Sequence, residues 1–159
     1  MQENRLTDRQ GNRVTGLLKA RQHDLDEYAP LTHSLVICVH DQMGLFVFND
    51  AKDEWVLPGG QIEAGESPLD SARRGLFETA ELTPSLLEFY GIMEWRLGEK
   101  QRRQYGALYT CTLTGSDAKA QTGEGARIKF WAPELKIGQI SPLYAALTEY
   151  VLKGEYFSS

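Results

Sequence analysis

The sequence predicts an α/β fold in which a mixed, largely antiparallel sheet carries helices on its faces. Apolar, β-branched runs of strand length recur between tight turn signals. Two further segments open with a capping residue followed by proline and continue with apolar residues at three- and four-residue steps. With 159 residues, 42% hydrophobic and 25% charged, the chain is expected to form one domain with its own core over residues 1–159.

In chain order, residues 5–16 predict a hairpin around Gly11-Asn12, a turn-prone pair, and a polar segment from Lys19 to Tyr28 runs on to Pro30. Residues 1–30 are thus a hairpin and polar lead-in. Leu35 to Val39 predicts a strand, and Asp41 to Gly44 a turn into a second strand at Leu45–Phe48. Trp55–Leu57 predicts a third, ended by Pro58-Gly59-Gly60. Ser67 suits an N-cap, Pro68 the first helical position and Asp70 the third, while Leu69, Ala72, Leu76 and Ala80 give an apolar face. Pro84 sets the expected end of this helix near Thr83. Strands are expected at Leu87–Trp95, Tyr105–Leu113 and Arg127–Trp131, with a polar loop over residues 115–125. A last helix opens at Ser141-Pro142 and runs through Leu143, Leu147 and Val151.

The net charge of −5 and a pI near 5.2 are the wrong sign for gripping a nucleic-acid backbone, so duplex nucleic acid is not an expected partner. Phosphorylated small molecules fit, because a divalent cation reverses the local sign of an acidic pocket. A charged start without an apolar stretch predicts no secretory signal, and no apolar run approaches the ~20 residues of a membrane span. Cys38 and Cys111 sit in apolar strand-like runs without CxxC spacing and read as small core residues. A cytoplasmic protein is expected.

Chemistry concentrates between Gly59 and Leu82. A glycine pair brings backbone close to something, an acidic loop follows, and a capped helix then carries Arg74, Glu78 and Glu81 on its polar side. Carboxylates at such a junction suit a hard cation that shares oxygen ligands with phosphate. The plain alternative is a solvated helix with an Arg74–Glu78 surface pair.

The order of this segment resembles the Nudix box, G-x5-E-x7-R-E-U-x-E-E-x-G-U with U apolar. Gly60, Glu66, Arg74, Leu76, Glu78 and Leu82 match its fixed positions, and Pro58-Gly59-Gly60 and Gly65-Glu66 match common family usage. The resemblance implies a MutT-like α/β/α sandwich with a mixed, largely antiparallel sheet. It also implies a pyrophosphatase-type hydrolase that uses Mg²⁺ or Mn²⁺ on a nucleoside diphosphate linked to another group. A homodimer is common among such proteins.

The departures bear on activity. The family's R-E pair reads Arg74-Gly75, its E-E pair reads Glu78-Thr79, and its last glycine is Glu81. Two of the three usual metal-holding helix glutamates are therefore missing from a degenerate box at 59–82. By resemblance, the metal ligands would be the Gly59 carbonyl, Glu78 and Glu124, a carboxylate in the late loop, with Glu78 and Glu124 the catalytic pair. Gly60, Glu66 and Arg74 would order the motif. Glu81 lies to the Arg74 side by helical spacing and would pair with it. Arg102 and Arg103, after a turn, and Glu63, near the mouth, are candidate substrate contacts, with solvated surface groups as the alternative.

Two readings stay open. One is a Mg²⁺-dependent diphosphate hydrolase with a reduced site, for which His23, His33 and His40 are available as a substitute base of the kind found in GDP-mannose mannosyl hydrolases, each being otherwise a surface or strand-end residue. The other is a Nudix-fold binding or regulatory module without turnover. Isopentenyl diphosphate isomerase, a fold relative, needs Cys-Gly-His where this chain has Pro58-Gly59-Gly60, and ranks last. Trp55, Trp95 and Tyr105 are expected in the core, with stacking on a base as their alternative role.

Overall fold

The strand Leu31–His40 organises the sheet because its middle is apolar on both faces, the pattern of a strand covered on two sides. In the computed structural model, which describes residues 6–116 and 127–158, Leu35 through Cys38 are all at most 3% exposed. Numbering strands in chain order, β1 is Arg13–Leu18, β2 is Leu31–His40, β3 is Met43–Asn49, β4 is Glu54–Val56 and β5 is Gly59–Gln61. They are followed by helix α1 (Pro68–Ala80), β6 (Glu88–Leu97), β7 (Arg102–Thr112), β8 (Ile128–Trp131), helix α2 (Pro142–Leu152) and β9 (Phe157–Ser158). A short 3₁₀ turn, Gln22–Glu27, fills the polar lead-in and buries Leu25.

The strands run in the order β4-β3-β2-β7-β6-β1-β9, with β5 also on β2 and β8 also on β3. Among these strand pairs β2–β7 alone is parallel; it sets Leu35 beside Leu108 and Cys38 beside Cys111. Alternation along β2 then sorts the core. Val36 and Cys38 face Ala72, Leu76 and Ala80 of α1. Leu35 and Ile37 face Leu143, Ala146 and Leu147 of α2. This is the expected layered α/β fold, with helices on both faces of a mostly antiparallel sheet. The Cys111 thiol donates to Cys38 Sγ at 3.1 Å, and both residues are buried. No helix among the described residues is long and apolar enough to cross a membrane.

Both helices begin where their caps lie. Ser67 Oγ accepts from the Asp70 N–H, Ser141 Oγ from the Tyr144 N–H, and each cap precedes a proline. The end of α1 differs from expectation: the helix stops at Ala80, and Glu81 takes a left-handed conformation (φ 56°) while its N–H still reaches the Phe77 carbonyl. The β2–β3 turn is also tighter than expected. Asp41 and Gln42 both have positive φ, as a two-residue hairpin with primed geometry requires. Gly44 is already in β3, where a Cβ would lie 2.6 Å from Thr148 Cγ2 on α2. Gly59–Gln61, expected only to end a strand, itself pairs with β2 through Ser34 opposite Gly60.

The N-terminal hairpin forms through Asp8 N–H to Asn12 O (2.9 Å) and Val14 N–H to Leu6 O (3.0 Å). Asp8 Oδ1 accepts from the Gln10 and Asn12 amides, which fixes the turn around Gly11 (φ 83°).

Candidate functional site

Helical spacing puts Arg74 and Glu78 on one face of α1, and the loop before the helix folds back onto that face. Arg74 Nε donates to Glu66 Oε2 at 2.7 Å and Nη2 to Glu66 Oε1 at 3.1 Å, a two-point contact. Nη1 donates to Glu78 Oε1 at 3.0 Å, Nη2 also to the Gln61 carbonyl at 2.9 Å, and Glu63 Oε1 lies 3.3 Å from Nε. Glu66 accepts in addition from the Glu63 N–H. The Arg74 hydrogen bond, followed by that backbone donor, draws the Glu66 carboxyl down to about 2. The guanidinium is thus a hub that ties loop to helix. Glu81 is not among its partners, because the left-handed turn takes it off the helical stripe on which that pairing depended.

The second feature is a backbone contact. A Cβ at Gly75 would lie 2.8 Å from Gly59 Cα, 3.0 Å from Gly59 C and 3.3 Å from Gly59 N. Gly59 has φ 140° and is pressed on β2, where its own Cβ would meet the Ser34 carbonyl at 2.2 Å. Hydrogen bonds hold the chain on either side, Val36 N–H to Pro58 O and Ile62 N–H to Thr32 O. Beside this contact the Thr79 hydroxyl donates to the Gly75 carbonyl at 2.7 Å.

Two cavities flank Gly59 and share Asn49, Val56, Leu57 and Gly59 in their walls. One, of ≈390 Å³, is lined by Glu78, Thr79, Asp50 and Arg127. Arg127 pairs with Asp50 and lies over the Phe48 ring at 4.6 Å. The other, of ≈310 Å³, runs from Gly60 and Gln61 past His33, Trp95 and Tyr144 to Asp8 and Asn12 of the N-terminal hairpin.

His33 of the second cavity was a bare candidate in sequence. Thr32 Oγ1 lies 2.9 Å from both His33 Nδ1 and Gln104 Oε1, tying the ring to β7. Burial pushes the imidazole down to about 4, so it is neutral at pH 7. His23 and His40 lie elsewhere, each beside a neighbouring aspartate. Arg102 and Arg103 are exposed at the start of β7, opposite Leu97 and Arg96, and line neither cavity. Glu124 falls outside the described residues. Trp55, Trp95 and Tyr105 are buried, and Trp95 also walls the second cavity. The hairpin contribution and the Gly59–Gly75 approach were missed in sequence; an isolated glycine inside a helix, downstream of a glycine pair, was the available signal for the latter.

Among the described residues no three His, Cys, Asp or Glu side chains gather as a metal cluster. Glu78 is the carboxylate that α1 offers beside Gly59, and Arg74 already holds one of its oxygens. Thr79 directs its hydroxyl at the helix backbone. Among the described residues these supply fewer carboxylate oxygens than the family's three helix glutamates would, with water and substrate phosphate left to complete the shell of a Mg²⁺ ion.

The Nudix domain model matches residues 31–151, and the chain belongs to the Nudix family. A mutant of the Bacillus subtilis pyrophosphohydrolase BsRppH is similar in structure at 18% identity and a TM-score of 0.65, over 93% of this chain and 92% of that one. The MutT Nudix hydrolase from Burkholderia pseudomallei is 14% identical with a TM-score of 0.57, over 75% and 95%. The Nudix domain of Shewanella oneidensis NrtR, solved with ADP ribose, is 20% identical with a TM-score of 0.53, over 84% and 97%. At these identities the likeness is one of fold.

Proposed function

We propose that the chain binds a phosphorylated small molecule, of the nucleoside diphosphate type, across the two cavities beside Gly59, and that it does so without metal-assisted hydrolysis. The observation that carries the reading is the Gly59–Gly75 contact: helix backbone occupies the approach from which the family's first helix glutamate would extend. The neighbouring Glu78 is engaged by Arg74, so the box works as a structural clasp. Arg127 is the cation in the wall of the larger cavity, and a phosphate group would have to draw it from its pairing with Asp50. The ADP ribose bound by the NrtR domain and the pyrophosphohydrolase activity in the name of BsRppH are the kinds of ligand and reaction from which this reading takes its chemistry.

The second reading is a Mg²⁺- or Mn²⁺-dependent hydrolase using the Gly59 carbonyl, Glu78 and Glu124. It is favoured by one observation: Glu78 and Arg127, the latter three residues after Glu124, line the same cavity. The test is a panel of nucleotides, nucleotide sugars and dinucleotides, with and without Mg²⁺ or Mn²⁺. Binding is followed by calorimetry and turnover by phosphate release after phosphatase coupling. The expected result is saturable binding with no turnover. Metal-dependent turnover that Glu78→Gln abolishes would replace the first reading by the second, and a panel that neither binds nor turns over would remove both.

A further inference from the structure

We infer that Arg13, Arg96 and Arg103 form an anion site for an oligophosphate, on the sheet face turned away from the ≈310 Å³ cavity. The inference stands apart from the binding reading above and concerns a second place on the molecule.

The row follows from register. β6 lies between β1 and β7, and the two ladders set Arg13 opposite Arg96 and Arg96 opposite Arg103. Residues directly opposite in antiparallel strands share a face, so three arginines stand side by side on three neighbouring strands. With strands about 4.8 Å apart, the row spans about 10 Å of backbone. Trp95, Leu97 and Gln104, the sequence neighbours of Arg96 and Arg103, line the ≈310 Å³ cavity. Alternation along each strand therefore sends the arginines to the other face.

No counter-charge completes the row. Like charges directly opposite on a sheet destabilise it, and Arg96 has such a neighbour on each side. Arg9, Arg74 and Arg127 each hold a carboxylate, whereas among the described residues none lies within ion-pair distance of Arg13, Arg96 or Arg103. Glu94, one step along β6 on the same face, accepts from Thr15 Oγ1 at 2.9 Å. Asp24, in the 3₁₀ turn that touches β6, is engaged by the Arg21 N–H and His23, and Asp26 and Glu27 of that turn are exposed. Glu99 and Lys100 at the tip of the β6–β7 turn offset each other. Arg13 and Arg103 are exposed and Arg96 is half-buried, so the row is open to a ligand.

The charge of the row selects its occupant. Guanidinium forks match phosphate and carboxylate oxygens two at a time. Three forks so close together are satisfied by several negative charges on one short ligand. A phosphate chain carries them that way, whereas an acidic peptide spreads one over each side chain. The chain holds 22 acidic against 17 basic residues, so its overall field opposes such an anion and binding depends on the local row.

Tripolyphosphate is the probe, followed by calorimetry on the full chain at about 0.1 M salt, where screening acts beyond about 10 Å. Saturable binding is expected. Arg13→Gln, Arg96→Gln and Arg103→Gln should each weaken it about fivefold, the scale of one charge pair near 4 Å in water. Arg102→Gln removes the same charge from the opposite face of β7 and should cost far less. Arg103→Gln, at the exposed start of β7, keeps the test valid if Arg96→Gln disturbs the sheet. ATP separates the sources: binding that depends on the row and matches tripolyphosphate points to a nucleoside-borne chain, and weaker binding to a free oligophosphate. The inference is overturned if the parent binds no tripolyphosphate, if binding survives the row substitutions, or if Arg102→Gln weakens it equally. Equal binding of a hexaglutamate peptide would overturn it too, and none of these results bears on the cavities beside Gly59.

Discussion

Replacing Gly75 by alanine separates a glycine that is merely a lost ligand from one required by packing. In an open helix the change is stabilising by about 1 kcal/mol, since glycine carries that much propensity cost. Here the new methyl would sit 2.8 Å and 3.0 Å from two backbone atoms of Gly59, and backbone cannot rotate aside as a side chain does. Gly59 cannot withdraw either, because β2 closes the other side and hydrogen bonds pin Pro58 and Ile62. Overpacking of this kind costs about 1–3 kcal/mol. The sum is a destabilisation of about 1 kcal/mol, which lowers the melting temperature by roughly 2–4 °C in a domain of this size. Thermal unfolding followed by circular dichroism reads the sign directly. Gly75→Glu should melt no higher than the alanine variant, with no rise on adding Mg²⁺. An alanine variant more stable than the parent would refute the packing argument, and with it the main support for a site closed to the family's first glutamate.

Two pH predictions follow from the site. Glu66 is held near 2 against an ordinary value of about 4.3, so its clasp with Arg74 contributes fully above the ordinary value and is lost as pH falls toward 2. The stability gap between the parent and Glu66→Gln should close over that window in acid unfolding curves. His33 has the opposite charge type with a lowered value: between about pH 6.5 and 4 the unfolded chain takes up a proton that the folded chain refuses. Stability should fall across that interval on acidification, less steeply in His33→Gln, and NMR should find the His33 ring titrating near 4.

What the sequence disclosed was local or periodic. Ser67-Pro68 and Ser141-Pro142 announced both helices because a cap and its proline act within one turn. The apolar run of β2 announced a strand, though not its central place in the sheet. Errors arose where one residue's backbone decided the outcome. Glu81 continued the helical pattern on paper but adopts the left-handed cap, which redirects its carboxylate. Gly44 looked like a turn residue because its real role, clearance for Thr148, depends on a helix a hundred residues later. The acidic residues of the box were visible, but not that Arg74 gathers Glu63, Glu66 and Glu78 at once. The cavities are less legible still: Asp8, His33, Trp95 and Tyr144 meet only after the whole sheet is assembled.

The parallel pairing of β2 with β7 governs the order in which this chain can assemble. Cys38 and Cys111 touch across that pairing although 73 residues separate them, so β2 leaves the ribosome long before β7 exists. Closing so long a loop delays folding, and β2 meanwhile offers an exposed edge to other nascent chains. Chaperone dependence and yield during synthesis should therefore respond more to substitutions in β7 than to changes in the box helix.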